Sequence, residues 1–467
     1  MTRYRLTTEV FSLPRGRDHL VYAPLLHTSV VVNDTALNLL ADIAAERSVI
    51  RNAHTHEVLD LLVELELIDN TTKSRRRASG AAPTPPVTAV SEGPAAADPA
   101  PTALRPTAVT LFLTTACNLR CVYCYASGGE QPRYLDEQIA LDAIDFVVDN
   151  AVASGPPKVT VTFHGGGEPT LAGDAMRHCV KHARRRCAQH SLELSTGTAT
   201  NGVMSDGMRE YLAENMTSVM VSIDGPAAVQ DRLRPRAGGG ASSAAVERTL
   251  ARLSESDCTL GTRLTCTSHA LDHALETVRH LVDTYRLTTI HLEPLFACGR
   301  SIGNGLRPPN AERFVEVFRE CLEYAGRHGV DVAYSGAHQS TLACSFCQVS
   351  RPSFNITTEG DVTACYEVTG RDDSRAGTFI YASYDAMHRS FAFDAARIDA
   401  LRHLTVNDAP RCARCFAKYH CAGDCPSKRL YPGADDAVVS RCEINRRLTL
   451  DQLEEVIRCP TTSAATV

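Results

Sequence analysis

Three cysteines within one short loop, Cys117-Asn118-Leu119-Arg120-Cys121-Val122-Tyr123-Cys124, follow the apolar stretch 109–113 and lead into a glycine-containing segment. Thiolates at C-x3-C-x2-C spacing hold three irons of a [4Fe-4S] cube, whereas a closed electron-transfer cluster takes four cysteines, so one iron stays open. That iron can chelate the amino and carboxylate groups of S-adenosylmethionine (SAM), and a reduced cluster can then cleave the sulfonium to a 5′-deoxyadenosyl radical. A structural zinc site is the other use of such spacing. Zinc wants a local fourth Cys or His, and residues 125–133 contain neither.

The rest of the chain narrows the setting. At 467 residues it is long enough for two or three domains with their own cores, and its net charge of -6 gives no electrostatic reason to expect nucleic acid as the main partner. The N-terminus lacks the continuous apolar core of a signal peptide, and no run approaches membrane-spanning length, so a cytoplasmic protein with no membrane partner is expected. In that compartment thiols stay reduced. Eighteen cysteines then point to metal or iron–sulfur ligation rather than to a disulfide framework.

Residues 1–69 read as a small unit: β-like stretches at 9–13, 19–22 and 29–32 precede amphipathic helical patterns at 34–45 and 55–65. Residues 70–107 are rich in Pro, Ala, Ser and Thr with almost no large apolar side chain, which predicts a flexible linker and a first unit tethered rather than rigidly fused. From 108 to 330 strand and helix patterns alternate, with strands at 108–114, 158–164, 192–200, 218–224, 260–267 and 288–295 and helices at 135–153, 173–190, 205–214, 242–254, 271–285 and 311–327. Six βα units predict an α/β fold, a partial (β/α)6 TIM barrel. In three strands one face is apolar (Val159, Val161, Phe163; Val219, Val221, Ile223; Ile290, Leu292) and the other polar (Thr160, Thr162, His164; Ser218, Ser222, Asp224; His291, Glu293), as expected of a lumen that binds something charged. Chemistry in such folds gathers at the carboxyl ends of the strands, where the Cys117 loop, Gly165, Asp224 and Glu293 fall.

With its C-x3-C-x2-C loop and the aromatic Tyr123 just before the third cysteine, the chain resembles the radical SAM superfamily, which packs adenine at that aromatic position. His164-Gly165-Gly166-Gly167-Glu168-Pro169 at the end of the second strand is similar to the family's GGE motif. Glycines allow close backbone approach to a ligand, and the resemblance implies that Gly166, Gly167 and Glu168 meet the SAM ammonium. Ser222 and Asp224 in Ser222-Ile223-Asp224-Gly225-Pro226, followed by Asp231-Arg232-Leu233-Arg234-Pro235, are by the same resemblance candidates for the SAM ribose or carboxylate. A turn-forming role is the alternative for both. Thr200-Asn201-Gly202 looks like the family's strand-three turn and reads as structural.

Beyond the barrel, Cys347-x12-Gly360-x4-Cys365 and Cys412-x2-Cys415-x5-Cys421-x3-Cys425-x16-Cys442 resemble the seven-cysteine signature of the SPASM domain, which carries auxiliary [4Fe-4S] clusters. The resemblance implies that Cys412, Cys415, Cys421 and Cys442 hold one cluster and that Cys347, Cys365 and Cys425 hold the other, with Cys344 completing it. Related enzymes sometimes leave that last iron open. Zinc-ribbon pairing of Cys412/Cys415 with Cys421/Cys425 is the alternative. Gly360 is expected in a turn between short strands at 353–356 and 362–365. The domain reading is thus 331–450 for SPASM and 451–467 for a C-terminal tail.

The first unit resembles the PqqD-type winged-helix-like modules that pair a precursor peptide strand with an open sheet edge. Together these likenesses imply an enzyme with one SAM-binding and two auxiliary clusters, a ribosomally made precursor peptide as substrate, oxidative cross-linking (C-C, C-O or thioether), and an electron donor such as flavodoxin or ferredoxin. Three other readings stand beside it. A sulfatase maturase would place an aspartate directly after the cysteine of G-x4-C, where this chain has Tyr366 followed by Glu367. An epimerase would use Cys298, in the loop after the sixth strand, as hydrogen-atom donor. A non-catalytic iron–sulfur redox protein would need no Gly166-Gly167-Glu168. The remaining cysteines, Cys179, Cys187, Cys258, Cys266, Cys321 and Cys459, are expected to fill cores.

Overall fold

The computed structural model describes residues 3–53, 55–70, 104–155, 157–337, 341–347, 349–350 and 353–458, so the expected linker 70–107 lies outside the described residues except at its ends. In the first unit, β1 (Tyr4–Leu6) pairs antiparallel with β5 (Ile68–Asn70), and β2 (Phe11–Arg15), β3 (Asp18–Ala23) and β4 (Thr28–Val32) form a three-stranded meander. Helices Asp34–Ala44 and His56–Glu64 cover one face, where Val21, Ala23, Val30 and Val32 pack with Leu39, Leu40, Leu59 and Leu62. Period-two alternation gives the sheet a second apolar face. Leu20 and Tyr22 lie there, against Leu453, Phe416 and Ile457 of the cysteine-rich part.

This second face corrects the expectation of a loosely tethered unit. Arg15 pairs with Glu454 at 3.0 Å, Glu9 accepts from Tyr419 Oη at 2.8 Å and pairs with Lys418, and Tyr22 and His420 share a buried hydrogen bond of 2.7 Å. Composition of the connecting stretch says nothing about such a seam.

The barrel strands are β6 (Ala108–Leu111), β7 (Lys158–Phe163), β8 (Glu193–Thr200), β9 (Ser218–Ser222), β10 (Thr259–Cys266) and β11 (Thr289–Pro294), all parallel to their neighbours. Val159, Val161 and Phe163 are fully buried under the helices, while Thr160 and Thr162 line the half-buried opposite face. The expected helix 271–285 is two, Ser268–Leu271 and Ala274–Thr284, and an unforeseen helix, Ala227–Leu233, follows β9.

The sheet runs further than six strands. β12 (Asp331–Ala333) adds parallel to β11, β13 (Asn355–Ile356) adds parallel to β6, and β14 (Asp361–Thr363), β15 (Ile380–Asp385) and β16 (Ser390–Phe393) continue antiparallel, giving eleven strands in one sheet. The cysteine-rich part therefore grows from the barrel's first edge. Gly360 turns between β13 and β14 with φ +78°, a conformation that L side chains rarely adopt. The expected tail is also partly helical: Asp435–Arg458 is one helix whose buried Val438, Ile444, Leu448 and Leu453 form a packed stripe, and it ends eight residues beyond the predicted domain boundary at 450.

Candidate active site

Strand β6 carries the chain to the carboxyl edge of the sheet, and the loop after it is pinned along its backbone. Arg120 N donates to Pro235 O at 2.7 Å, Val122 N to Leu233 O at 2.9 Å, and Arg300 N to Cys124 O at 3.0 Å. The Arg300 guanidinium donates to Cys121 O at 3.2 Å and Gly128 O at 2.6 Å. The Cys117, Cys121 and Cys124 side chains are half-buried in this frame. Asn201 Nδ2 lies 3.8 Å from Cys117 Sγ, and Arg234 Nη1 lies 4.0 Å from Cys121 Sγ. Burial pushes the Cys117 thiol up and the Cys121 thiol to about 12, with the neighbouring thiolates adding to both and Arg234 opposing the rise at Cys121. Thiols so placed ionise when a metal centre neutralises them, and three sulfurs flanked by an amide and a guanidinium fit an iron–sulfur cube.

Against this loop the Gly166-Gly167-Glu168 segment packs closely. A Cβ on Gly167 would run into the carbonyl oxygen of Ala116, whereas one on Gly166 would meet nothing nearer than 3.6 Å, so close packing enforces the second glycine and leaves room at the first. Glu168 is only 2% exposed. Its carboxylate accepts from Thr170 N at 3.1 Å, Thr170 Oγ1 at 2.7 Å, Thr200 Oγ1 at 2.8 Å and Asn201 N at 2.7 Å. Glu168 staples the ends of β7 and β8, and Asn201, read as a turn residue, is carried by that staple to Cys117.

Fully buried, Asp224 accepts from Arg234 Nε at 3.0 Å, from Thr265 N at 3.1 Å and from Tyr123 Oη. The Arg234 guanidinium stands 5.3 Å from the centre of the Tyr123 ring. Asp224 and Arg234 thus hold Tyr123 and reach Cys121 through one ion pair. Ser222, half-buried, is opposite Arg263 in the sheet register. Arg263, half-exposed, lies 3.7 Å from Glu293, which also accepts from Ser335 N and Oγ at 3.0 and 2.8 Å. His164 stacks on Tyr366 with ring centres 4.8 Å apart. Burial, then Arg263, lowers the His164 pKa to about 4, and Gly165 N donates to its Nδ1 at 2.7 Å, which fits a neutral ring. Sequence reasoning passed over Arg234, Arg263 and Arg300; the quoted segment 231–235 held the one usable signal.

In the C-terminal array burial raises the thiols, and neighbouring thiolates then mark who stands beside whom. Cys347 is raised by Cys425, Cys425 by Cys365 and Cys365 by Cys347, while Cys421 is raised by Cys415 and Cys412, and Cys442 by Cys412. Cys344, expected to complete the group of Cys347, Cys365 and Cys425, also has neighbours in the other group. It packs with Val406, Ala409, Cys412 and Tyr419, and its sulfur lies 3.7 Å from Asn407 Nδ2. The strap 421–425 joins the two groups through three consecutive left-handed residues, Ala422, Gly423 and Asp424, and Arg441 holds Asp424 by hydrogen bonds of 2.9 and 2.8 Å. Among the described residues, no three His, Cys, Asp or Glu side chains are grouped closely enough to share one metal ion.

Cys298, the hydrogen-atom donor of the epimerase alternative, is 7% exposed in an apolar nest with Phe296, Ala434 and Val438, and burial raises its thiol to about 12. Cys179, Cys187, Cys258, Cys266 and Cys321 are buried, and Cys459 lies outside the described residues.

Residues 111–287 match the family model described as the Radical SAM superfamily. The sporulation killing factor maturation protein SkfB of Bacillus subtilis (strain 168) is 25% identical over 56% of this chain, a match that spans 60% of SkfB. The serine-type anaerobic sulfatase-maturating enzyme of Klebsiella aerogenes is 24% identical over 67% of this chain and 77% of its own length. Streptococcus suis SuiB, solved bound to its precursor peptide SuiA, shares the fold with a TM-score of 0.50 at 12% identity, over 90% of this chain and 95% of SuiB. No described helix is long and apolar enough to cross a membrane.

Proposed function

We propose, from the premise that residues 111–287 form a radical SAM domain, that this chain is a radical SAM/SPASM enzyme that modifies a ribosomally made precursor peptide. The observation that carries the reading is that two cysteine systems meet at the mouth of one polar lumen. Tyr125, directly after Cys124, donates from Oη to the carbonyl of Tyr366, directly after Cys365, at 3.4 Å. In this reading Cys117, Cys121 and Cys124 hold the cluster that meets SAM, Cys412, Cys415, Cys421 and Cys442 hold one auxiliary cluster, and Cys347, Cys365 and Cys425 hold the other. When bound, cluster and SAM supply a primary radical that removes a hydrogen atom from the substrate. The protein's own part is positional. Glu168 fixes the turn that brings Asn201 to Cys117, the Asp224–Arg234 pair fixes Tyr123, and the clamp of Arg300 on the loop holds its thiols in one arrangement.

A peptide substrate is supported by the names of SkfB and of the SuiB–SuiA complex. A groove of about 440 Å³ between β2 and the loop holding Ala413, Arg414 and Phe416 supports it further, since β2 is an edge strand of its sheet and can take an extended segment of the precursor. A low-potential donor such as flavodoxin or ferredoxin would reduce the cluster. The sulfatase-maturase reading is less well supported, because Tyr366 follows Cys365, and the next acid, Glu367, already accepts from Ser427 Oγ at 3.0 Å and Arg375 Nη1 at 3.2 Å. Anaerobic incubation of reconstituted protein with dithionite and SAM, with and without precursor, tests the proposal. Formation of 5′-deoxyadenosine coupled to a mass change in the precursor is expected, and its absence overturns the reading.

A further inference from the structure

The two edges of the N-terminal meander differ. β4 is buried from Ser29 to Val32, whereas β2 alternates half-buried Phe11 and Leu13 with exposed Ser12 and Pro14. The hairpin decides which backbone groups β2 presents. Arg15 and Asp18 flank the turn Gly16-Arg17, where Gly16 has φ +65°, and a turn of this length makes its flanking residues a hydrogen-bonded pair. Counting back by twos, Leu13 and Phe11 also aim their backbone groups at β3, so Ser12 and Pro14 aim theirs outward. A proline at 14 therefore costs the ladder nothing, and Ser12 offers an N–H and a C=O along the open edge. Neither group enters a backbone hydrogen bond with described residues outside the hairpin.

Across the groove of about 440 Å³ stand Ala413 and Arg414, from the loop between Cys412 and Cys415, and Phe416. Phe416 belongs to the same apolar cluster as Phe11 and Leu13, so the wall is apolar at its base. Its two charged residues are unequally committed. Glu9 is held by Lys418 and by Tyr419 Oη, whereas Arg414 is exposed and has no ion pair or hydrogen bond among the described residues. An open strand edge, an apolar wall and one unspent cation complement an extended chain that carries an acid among apolar residues. A second copy pairing edge to edge would meet the missing donor of Pro14 on both strands, which favours a separate peptide.

We propose that this groove selects an acidic, extended segment of the precursor, which adds to β2 through Ser12 and pairs an Asp or Glu side chain with Arg414. The inference rests on the peptide-substrate reading above and gives that reading a recognition chemistry. The site is composite: the first unit supplies the strand edge and the cysteine-rich part supplies the charge, so neither alone presents both. Strand pairing carries the affinity, and Arg414 carries the choice between segments.

The test is fluorescence anisotropy on full-length, anaerobically reconstituted protein, with a short labelled synthetic peptide alternating Glu and Val and a counterpart alternating Lys and Val. The net charge of -6 would by itself favour the Lys peptide. The Glu peptide is nevertheless expected to bind about tenfold more tightly, by a margin that narrows as salt is raised. Arg414→Met should remove this preference and Arg414→Glu should invert it, both at unchanged Tm and iron content. Ser12→Pro, which deletes the outward N–H, should weaken both peptides alike, and the Arg414 variants keep the test available if Ser12→Pro lowers the Tm. Equal binding of the two peptides to wild type, or a Glu preference that survives Arg414→Glu, overturns the inference. Undiminished binding to a folded Ser12→Pro variant overturns it as well. Peptide selection as expected, in protein that forms no 5′-deoxyadenosine with dithionite and SAM, would instead overturn the enzymatic reading, a separate failure.

Discussion

Tyr22 and His420 meet in a buried hydrogen bond of 2.7 Å that joins the N-terminal sheet to the helix Lys418–Cys421. Glu9 adds its pair with Lys418 and its bond from Tyr419, so three consecutive residues before Cys421 lean on the first unit. Removing residues 1–70 would take from Lys418 its partner Glu9 and uncover Leu453 and Phe416. The truncated protein is expected to lose about four irons and to have a lower Tm, as read by iron analysis and thermal unfolding. A merely tethered module would leave both unchanged.

Glu168 accepts four hydrogen bonds with almost no exposure, so its carboxylate braces the ends of two strands. Glu168→Gln turns an amide donor toward groups that are themselves donors, at a cost of about 2–3 kcal/mol. Arg234→Met should cost about 3–5 kcal/mol by stranding Asp224, and Asp224→Asn should recover part of that loss. Urea unfolding of the single and double variants checks this. Additive losses from Arg234→Met and Asp224→Asn would mean that the pair does not act as a unit.

His164 makes the barrel mouth sensitive to acid. Its folded pKa, lowered by burial and then by Arg263 from 6.5 to about 4, means that the unfolded chain binds the proton first, so stability is present above pH 6.5 and is lost as pH falls toward 4. Because the ring is partly reached by water, the loss is about 2 kcal/mol. His164→Phe, which keeps the ring contact with Tyr366, should flatten the slope between pH 6.5 and 4 in urea unfolding. An unchanged slope would place the acid sensitivity elsewhere.

Cys344 packs with Val406, Cys412 and Tyr419, beside a member of the group that the likeness to SPASM domains does not assign it to. Cys344→Ala is therefore expected to retain about twelve irons, whereas Cys365→Ala and Cys425→Ala lower the count. Equal loss from all three would return Cys344 to the ligand set.

Legibility in the sequence followed the length of the physical signal. The six barrel strands and their helices were readable because buried and lumen-facing residues alternate, as Val159, Val161 and Phe163 do with Thr160 and Thr162. Strand β12, three residues long, exists through pairing with β11 and no local pattern announces it, whereas β13 falls within the short strand expected at 353–356. The cysteines were readable as spacing. The protein partners of Glu168 and Asp224 were not, because a carboxylate beside glycines carries no mark of which distant donors, here Thr200 and Arg234, will reach it. The seam at Tyr22 was hidden for a similar reason. Alternating residues of one strand, Leu20 and Tyr22 against Val21 and Ala23, read as a single covered face until a second partner is known.

The burial of Cys298 bears on the product. A thiol that returns a hydrogen atom to a substrate radical must reach the altered carbon, but Cys298 is 7% exposed among Phe296, Ala434 and Val438, and burial raises its thiol pKa to about 12. Its backbone is fixed as well, with Cys298 N donating to Ser301 Oγ at 2.8 Å and Ser301 Oγ donating back to Cys298 O at 2.6 Å. Bringing the sulfur to the lumen would require this turn to open. Retention of a solvent hydrogen is therefore not expected, and the precursor should lose two hydrogens as a bond closes on the oxidised carbon. High-resolution mass spectrometry of precursor treated in water and in D2O, with wild type and Cys298→Ala, distinguishes the outcomes. The expected result is the same mass loss with both proteins and no deuterium at the modified α-carbon. An unchanged mass in water, with deuterium uptake in D2O that disappears in Cys298→Ala, would make the enzyme an epimerase and would require the turn at Ser301 to open during turnover.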